Sequence, residues 1–311
     1  MNVLIIGEFL EASKQRIRAI FPADWQLAIV TSGELNGELE EAEVIIPEHV
    51  IIDAVFLERA KHLKLVQTGA GFDNVDIEAC TANGVYVANA AGVNAVAVAE
   101  HIFALILCWY KNILILDEKL KRGEYSFDYS GTELAGRVIG IIGLGNIGRQ
   151  VAAYAKAFSM RVLGYDIRPV EIEDVVELVD FKTLLEESDV ITLNTFLNAH
   201  THHSISRQEL ELMKPDALLI NTSRGPVVDE AALIEALRSE KIGGAALDVF
   251  ETEPLAEASP LRKLNNVILT PHTAGMPDGL KFHKKRYEYF IENINRVSRG
   301  QAPMNALNRI G

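Results

Sequence analysis

Cysteine is scarce in this chain of 311 residues, which contains two, Cys80 and Cys108. They form no Cys-x-x-Cys pair, and we expect both to be small buried hydrophobic residues in a reducing compartment. The first seven residues, Met1–Gly7, lack the basic start of a signal peptide and have the composition of a first strand. The expected location is therefore cytoplasmic.

Basic residues are also in deficit. Lys and Arg number 30 against 43 Asp and Glu, which gives a net charge of −13 at pH 7. This excess of acid disfavours nucleic acid and anionic membrane surfaces as partners, because both need a basic footprint. An anionic substrate must therefore be attracted by local basic groups.

A long uninterrupted apolar run is missing as well. The most apolar stretch, Ala95–Leu116, contains Glu100, His101 and Lys111, so it predicts a buried amphipathic helix and not a membrane span. With 49% apolar and 23% charged residues, the composition is that of an ordinary soluble globular protein. The length suggests two domains.

A glycine-rich turn follows the apolar run Val138–Ile142. It reads Gly143-Leu144-Gly145-Asn146-Ile147-Gly148, and apolar residues at helical spacing come after it. In such a turn the first glycine permits the tight bend, the second lets a pyrophosphate approach the backbone, and the third lets the helix pack on the strand. The phosphates then lie at the helix N-terminus, where free N–H groups favour negative charge. The sequence therefore predicts dinucleotide binding.

An acid ends the next apolar run. Val162–Tyr165 leads to Asp166, eighteen residues after Gly148. Asp166 is expected to accept hydrogen bonds from the adenosine ribose hydroxyls and to repel a 2′-phosphate, which favours NAD over NADP. Arg168, two residues later, weakens that preference. Without this context the same pattern would be a structural strand–turn–helix with an exposed acid.

Short apolar runs alternate with helical patterns along nearly the whole chain, which indicates βαβ units and parallel sheets. The segment from about 93 to 121 separates two series of runs and is long enough to be one helix joining two domains. A final helix, about 279–299, is expected to pack on the first domain. The prediction is an α/β fold with a discontinuous substrate domain, 1–94 plus 275–311, and an NAD-binding domain, 95–274. The predicted strands are Val3–Ile6, Leu27–Val30, Val44–Ile46, Leu65–Gln67, Val138–Ile142, Val162–Tyr165, Val190–Leu193, Ala217–Asn221, Ala245–Asp248 and Val267–Leu269.

Polar residues follow three strands of the second series, at the edge where ligands bind in open α/β sheets. These segments are Asn221–Gly225, Leu247–Pro254 and Thr270–Gly275. Together they offer an Arg, a Glu and a His, the set needed to reduce a 2-oxo acid. A guanidinium can hold a carboxylate and polarise a carbonyl, and an imidazole can pass one proton near neutral pH.

The chain resembles the D-isomer-specific 2-hydroxyacid dehydrogenase family, whose motifs it carries in the family's order over most of residues 60–275. The resemblance implies two Rossmann-like domains, a flavodoxin-like substrate domain and an NAD-binding Rossmann domain, and a homodimer that buries the apolar region 93–116. The matching stretches are Gly69–Asp76, Val93–Glu100, Gly143–Gly148, Met213–Pro215, Asn221–Gly225, Asp248–Pro254 and Pro271–His272.

The resemblance also implies a role for each site residue. Arg224 would bind the substrate carboxylate and carbonyl, His272 would be the general acid and base, and Glu253 would pair with His272. The backbone of Gly69-Ala70-Gly71 would cradle the substrate carboxylate. The cofactor-binding residues would be Gly143, Gly145, Asn146, Ile147, Gly148, Asp166, Thr222 and Asp248, the last of these at the nicotinamide carboxamide.

Other interpretations of these residues remain open. Without the motifs, Arg224 would be a surface Arg in a turn, and His272 a packed or capping His. Glu251 is a rival for the paired acid, although Thr252 and not proline follows it. The run His200-Thr201-His202-His203 is better explained as a solvated loop than as a metal site, because no Cys or acid cluster accompanies it, and no metal is predicted.

The substrate is a small 2-oxo or D-2-hydroxy acid such as glyoxylate, hydroxypyruvate or a pyruvate-like acid. Pro47-Glu48-His49 stands where phosphoglycerate-type relatives carry basic residues, which disfavours a phosphorylated substrate. A phosphite-type dehydrogenase is disfavoured by Ala70, where those relatives have Lys. An NADH-sensing regulatory protein on the same scaffold remains an alternative, because it could retain all three polar residues of the site.

Overall fold

The computed structural model describes residues 1–48, 50–125, 127–128, 130–172, 175–279 and 282–310, so His49 lies outside the described residues. The chain divides into two compact units. The first comprises Met1–Asn94 with Met276–Gly311, and the second comprises Ala95–Gly275. Each unit is built on one parallel sheet, which confirms the predicted α/β fold class.

The first unit contains a five-stranded sheet with the strand order β2-β1-β3-β4-β5. Strand β5 is missing from the strands that the sequence predicts. The strands are β1 (Asn2–Ile6), β2 (Gln26–Val30), β3 (Val44–Pro47), β4 (Leu65–Gln67) and β5 (Tyr86–Ala88). The helices are α1 (Glu11–Ile20), α2 (Glu38–Glu41), α3 (Ala54–Arg59), α4 (Ile77–Ala82) and α11 (Lys284–Ser298).

Helix α11 packs on the first sheet through buried rings and one buried amide. Tyr287 and Phe290 are fully buried, and so is Asn293. Asn293 Nδ2 donates to Gln67 Oε1 at 2.7 Å, and the Met304 N–H donates to Asn293 Oδ1 at 2.7 Å. Because a buried amide needs partners, this pairing fixes the position of α11 against β4.

The second unit contains a seven-stranded sheet with the order β12-β11-β10-β9-β6-β7-β8. Strand order reverses beside β6, which pairs with β7 on one side and β9 on the other. Ligands bind beyond the carboxyl ends of strands at such a switch point. The strands are β6 (Val138–Ile142), β7 (Arg161–Tyr165), β8 (Glu177–Leu178), β9 (Val190–Leu193), β10 (Leu218–Asn221), β11 (Gly244–Leu247) and β12 (Val267–Leu269). The helices are α5 (Ala95–Tyr110), α6 (Ile113–Lys121), α7 (Asn146–Ala157), α8 (Phe181–Glu187), α9 (Arg207–Leu212) and α10 (Glu230–Arg238).

The prediction of one buried helix across Ala95–Leu116 is wrong in its second part. Helix α5 ends at Tyr110, and α6 begins at Ile113 with a bend of 58° between them. Asn112, at the break, has a left-handed backbone with φ of 52°, which an apolar pattern cannot reveal. Helix α6 buries none of its residues. No single described helix is long and apolar enough to cross a membrane, although the bent α5–α6 pair passes that test by length and composition alone.

Candidate active site

The glycine turn after β6 has two glycines that packing requires and one that it does not. Gly143 has φ of 91°, and a Cβ built on Gly148 would lie 2.1 Å from the Gly143 carbonyl oxygen. A Cβ on Gly145 would meet no protein atom within 4 Å. The space beside Gly145, at the N-terminus of α7, is therefore open to a ligand, which is what a pyrophosphate needs.

Asp166 follows β7 and is bonded to the same turn. Its Oδ2 accepts from the Leu144 N–H at 3.0 Å, and its Oδ1 accepts from the Arg168 N–H at 3.0 Å and Arg168 Nε at 3.3 Å. Burial alone would raise the pKa of Asp166, but these bonds from Arg168 and Leu144 outweigh it and lower the pKa below its usual value. A pocket of about 300 Å³ adjoins Asp166, lined by Gly164, Tyr165, Asp166, Ile167, Arg168, Pro169, Val170, Leu178 and Val179.

Arg224 lies in a tight turn after β10. Asn221, almost fully buried, donates from Nδ2 to the Arg224 carbonyl at 2.9 Å, and Arg224 Nη1 donates to the Ser223 carbonyl at 2.8 Å. The next residue, Gly225, leaves no room for a side chain, because its Cβ would lie 1.9 Å from the carbonyl carbon of Phe250. The Arg224 turn thus packs directly on the loop that carries Glu253.

The structure brings Glu253 and His272 together. His272 Nδ1 lies 2.7 Å from Glu253 Oε2, and the Phe250 N–H donates to Glu253 Oε1 at 3.1 Å. Both side chains are about one-third exposed. The rival acid Glu251 is paired elsewhere, since its Oε1 lies 2.7 Å from His203 Nε2. His203, in the loop 200–203 that the sequence predicts to be solvated, is 38% exposed and forms this pair at the surface. Among the described residues, no group of three or more His, Cys, Asp or Glu is placed to hold a metal ion.

Asp248 is completely buried, and protein donors surround its carboxylate. Its Oδ1 accepts from the Thr270 hydroxyl at 2.6 Å and the Thr273 N–H at 2.9 Å, and its Oδ2 accepts from the Ala274 N–H at 2.9 Å. The sequence predicts a contact between Asp248 and the nicotinamide. It does not predict these hydrogen bonds within the protein, because their donors lie more than twenty residues further along the chain.

In the first unit, hydrogen bonds to two of its carbonyl groups hold the Gly69-Ala70-Gly71 loop in place. The Ala90 N–H donates to the Gly69 carbonyl at 2.8 Å, and Asn89 Nδ2 donates to the Ala70 carbonyl at 3.2 Å. Within the described part of the chain, the three N–H groups of this loop donate to no acceptor. They remain available to an anion.

A buried ion pair that the sequence does not predict adjoins this loop. Arg286 Nη2 lies 2.7 Å from Glu48 Oε1, and both side chains are about nine-tenths buried. Arg286 Nη1 would lie 3.5 Å from a Cβ built on Gly69. In the sequence, Arg286 is one of three consecutive basic residues at the start of an ordinary amphipathic helix, so nothing distinguishes it.

A family model covers more than half of the chain. Residues 103–274 match the D-isomer specific 2-hydroxyacid dehydrogenase, NAD binding domain. The chain belongs to the D-isomer-specific 2-hydroxyacid dehydrogenase family. It is therefore an NAD-dependent D-2-hydroxyacid dehydrogenase.

Three similar proteins illustrate this membership. A glyoxylate reductase of Korarchaeum cryptofilum is 40% identical over 267 residues, which cover 83% of this chain and 80% of the relative. A hydroxypyruvate reductase of Thermotoga maritima is 38% identical over 244 residues, covering 77% and 80%. The crystal structure of D-lactate dehydrogenase from Aquifex aeolicus, complexed with NAD and lactic acid, superposes with a TM-score of 0.88, 32% identity and full coverage of both chains.

The cofactor of this 2-hydroxyacid dehydrogenase is NAD, and buried polar atoms beyond the strand ends fit it. Thr222 Oγ1, Asn194 Oδ1 and Thr195 Oγ1 are buried and have no hydrogen-bond partner among the described residues. They follow β10 and β9, beside the switch point. Because a buried polar atom is normally hydrogen-bonded, these three are available to the polar groups of a dinucleotide. Asn194 and Thr195 are not among the residues predicted from the sequence, although their place directly after a buried strand could have indicated them.

Proposed function

We propose that the enzyme reduces a small 2-oxo acid, such as glyoxylate, hydroxypyruvate or a pyruvate-like acid, to the D-2-hydroxy acid with His272 as general acid. The observation that carries this proposal is the 2.7 Å contact between His272 Nδ1 and Glu253 Oε2. A carboxylate on Nδ1 fixes the tautomer and the ring orientation, so that Nε2 is the nitrogen that exchanges a proton with the substrate. The names of the two reductase relatives support the substrate class.

The proposed reaction conserves charge and protons. NADH held at the Gly143–Gly148 turn would supply the hydride that converts the carbonyl carbon into the C–H carbon of the alcohol, and would become NAD+. His272 delivers its proton to the carbonyl oxygen, while the Arg224 guanidinium stabilises the negative charge that develops there. The free N–H groups of Gly69-Ala70-Gly71 are proposed to bind the substrate carboxylate.

Replacement of the two charged groups tests these roles. We expect His272→Ala to lower kcat by about two to four decades, because a positioned general acid contributes roughly that much. Arg224→Lys should also be severely impaired, because an ammonium cannot form the bidentate fork of a guanidinium. His62→Ala, at an exposed site in the first unit, is the matched control. Unchanged turnover in His272→Ala would show that the proton donor is a different group.

An NADH-sensing protein is the second candidate, because it could retain Arg224, Glu253 and His272. A substrate panel separates the two. We expect NADH oxidation with at least one of glyoxylate, hydroxypyruvate, pyruvate and phenylpyruvate. Tight NADH binding with no turnover on any member would favour the sensor, and oxidation of phosphite instead would favour the phosphite-type alternative.

We further infer a homodimer that buries helix α6. Its apolar side chains Ile113, Leu114, Ile115 and Leu120 are 43% to 60% exposed, an unusual density for one nine-residue helix. In a symmetric dimer the same patch on a second copy would cover them. Light scattering should give twice the mass of one chain, and Leu114→Asp should shift it to a monomer. A monomeric wild-type protein would refute the inference. The cytoplasmic location stays a prediction.

A further inference from the structure

A chain of hydrogen bonds leads from helix α5 to the segment that carries His272. It begins at His101 on α5, whose Nε2 lies 3.1 Å from Thr270 Oγ1. It continues from the Thr270 hydroxyl to Asp248 Oδ1 at 2.6 Å. His101 Nε2 itself lies 3.7 Å from the same Asp248 oxygen. Three elements that are distant in sequence therefore meet at one buried carboxylate.

The hydroxyl of Thr270 fixes the direction of these bonds. A hydroxyl has a single hydrogen, and a carboxylate can only accept, so Thr270 donates to Asp248. Its oxygen must then accept from His101, which requires a hydrogen on His101 Nε2. His101 is therefore a donor at Nε2, and its bond orients the Thr270 hydroxyl toward Asp248.

The far end of the chain is the backbone around His272. His272 has a left-handed backbone with φ of 53°, which a non-glycine residue keeps only when its surroundings hold it there. Asp248 supplies that hold, because its carbonyl accepts from the His272 N–H at 2.8 Å. Its carboxylate accepts from the next two N–H groups, those of Thr273 and Ala274, at 2.9 Å each.

We propose that His101 and Thr270 are positioning residues for the general acid. They hold the Asp248 carboxylate, and Asp248 in turn holds the left-handed turn that presents the His272 ring. This inference rests on the proposed role of His272 as proton donor. The roles of His101 and Thr270 lie in the geometry of that donor and do not require contact with the substrate.

The test compares a variant that removes the donor with one that keeps it. With the panel substrate that the wild type reduces fastest, His101→Leu should lower kcat about tenfold and leave the KM for NADH within about threefold of wild type. His101→Gln, whose amide can donate from nearly the same place, should keep at least half of the wild-type kcat. Thr270→Val, which removes the hydroxyl at constant shape, should match His101→Leu, and Thr270→Ser should match His101→Gln. Equal kcat values for His101→Leu and His101→Gln, or for Thr270→Val and Thr270→Ser, would overturn the proposal.

A double variant separates positioning from a general structural role. If His101 acts through His272, then His101→Leu should lower kcat no further in a His272→Ala background. A loss of the same tenfold in both backgrounds would overturn the proposal, because it would show an effect independent of the general acid. If His272→Ala alone has wild-type turnover, then the proposed function fails. If His272→Ala is inactive while His101→Leu and Thr270→Val have wild-type kcat, then only the present inference fails.

Discussion

Addition of one methyl group to the glycine turn should abolish most cofactor binding without harm to the fold. In Gly145→Ala the new Cβ meets no protein atom within 4 Å, and the backbone φ of −75° is one that alanine adopts freely. Loss of backbone freedom in the unfolded chain favours the variant, and the weaker N-cap propensity of alanine opposes it. We therefore expect the free energy of unfolding to change by less than about 1 kcal/mol.

The same methyl group would stand where the pyrophosphate of NAD approaches the backbone. A lost close approach and a displaced phosphate should raise the Kd for NADH about 10- to 100-fold, which corresponds to about 1.4 to 2.8 kcal/mol. Fluorescence titration with NADH measures the Kd, and urea unfolding without cofactor measures the stability.

Gly148→Ala is the matched control for this experiment. Its Cβ would lie 2.1 Å from the Gly143 carbonyl oxygen, so we expect a loss of stability of about 1 to 3 kcal/mol or more from overpacking. The reasoning is refuted if Gly145→Ala binds NADH like the wild type. It is also refuted if Gly145→Ala loses as much stability as Gly148→Ala.

Three further predictions concern charge and burial. Arg286→Met leaves Glu48 buried without its partner and should lower the free energy of unfolding by about 3 to 5 kcal/mol. The double variant Arg286→Met with Glu48→Leu should recover most of that loss. A single variant as stable as the wild type would contradict this prediction. Burial, reinforced by a nearby acid, raises the pKa of Cys80 to about 11. A thiol reagent at pH 8 should therefore modify Cys80 in urea but not in the folded protein. Fast labelling of Cys80 in the native protein would disprove this prediction. The folded-state pKa of Asp166 is lowered, so ionised Asp166 stabilises the fold above its unfolded pKa of about 3.9. This stabilisation is lost as the pH falls through the folded-state pKa. Asp166→Asn should therefore show a smaller loss of stability between pH 7 and pH 3 than the wild type, and an equal loss would count against the depressed pKa.

Local patterns predict much of this protein. The turn at Gly143–Gly148 is recognisable because each glycine has a separate steric reason, and Asp166 because it ends the next strand. The Arg224, Glu253 and His272 segments are recognisable because each follows a short apolar strand. Parallel strands place their carboxyl ends on one edge of a sheet, so the order of elements alone predicts which segments lie near the ligand.

Features that depend on distant contacts could not be predicted. The helix is interrupted at Asn112, which has a left-handed backbone conformation. The spacing of the apolar residues does not indicate this interruption. The partners of Arg286 and Asp248 lie far away in sequence, and Arg286 resembles any basic residue on a helix surface. Burial is what gives these side chains their particular partners, and burial depends on the complete tertiary structure.

The most direct test of the proposed reaction is to follow the hydride. The enzyme is incubated with hydroxypyruvate and NADH that carries deuterium at the transferred position, and the product is analysed for both label and chirality. The account predicts glycerate with one deuterium on the carbon that bears the former carbonyl oxygen, entirely in the D configuration. Unlabelled glycerate, or a labelled L product, would contradict it.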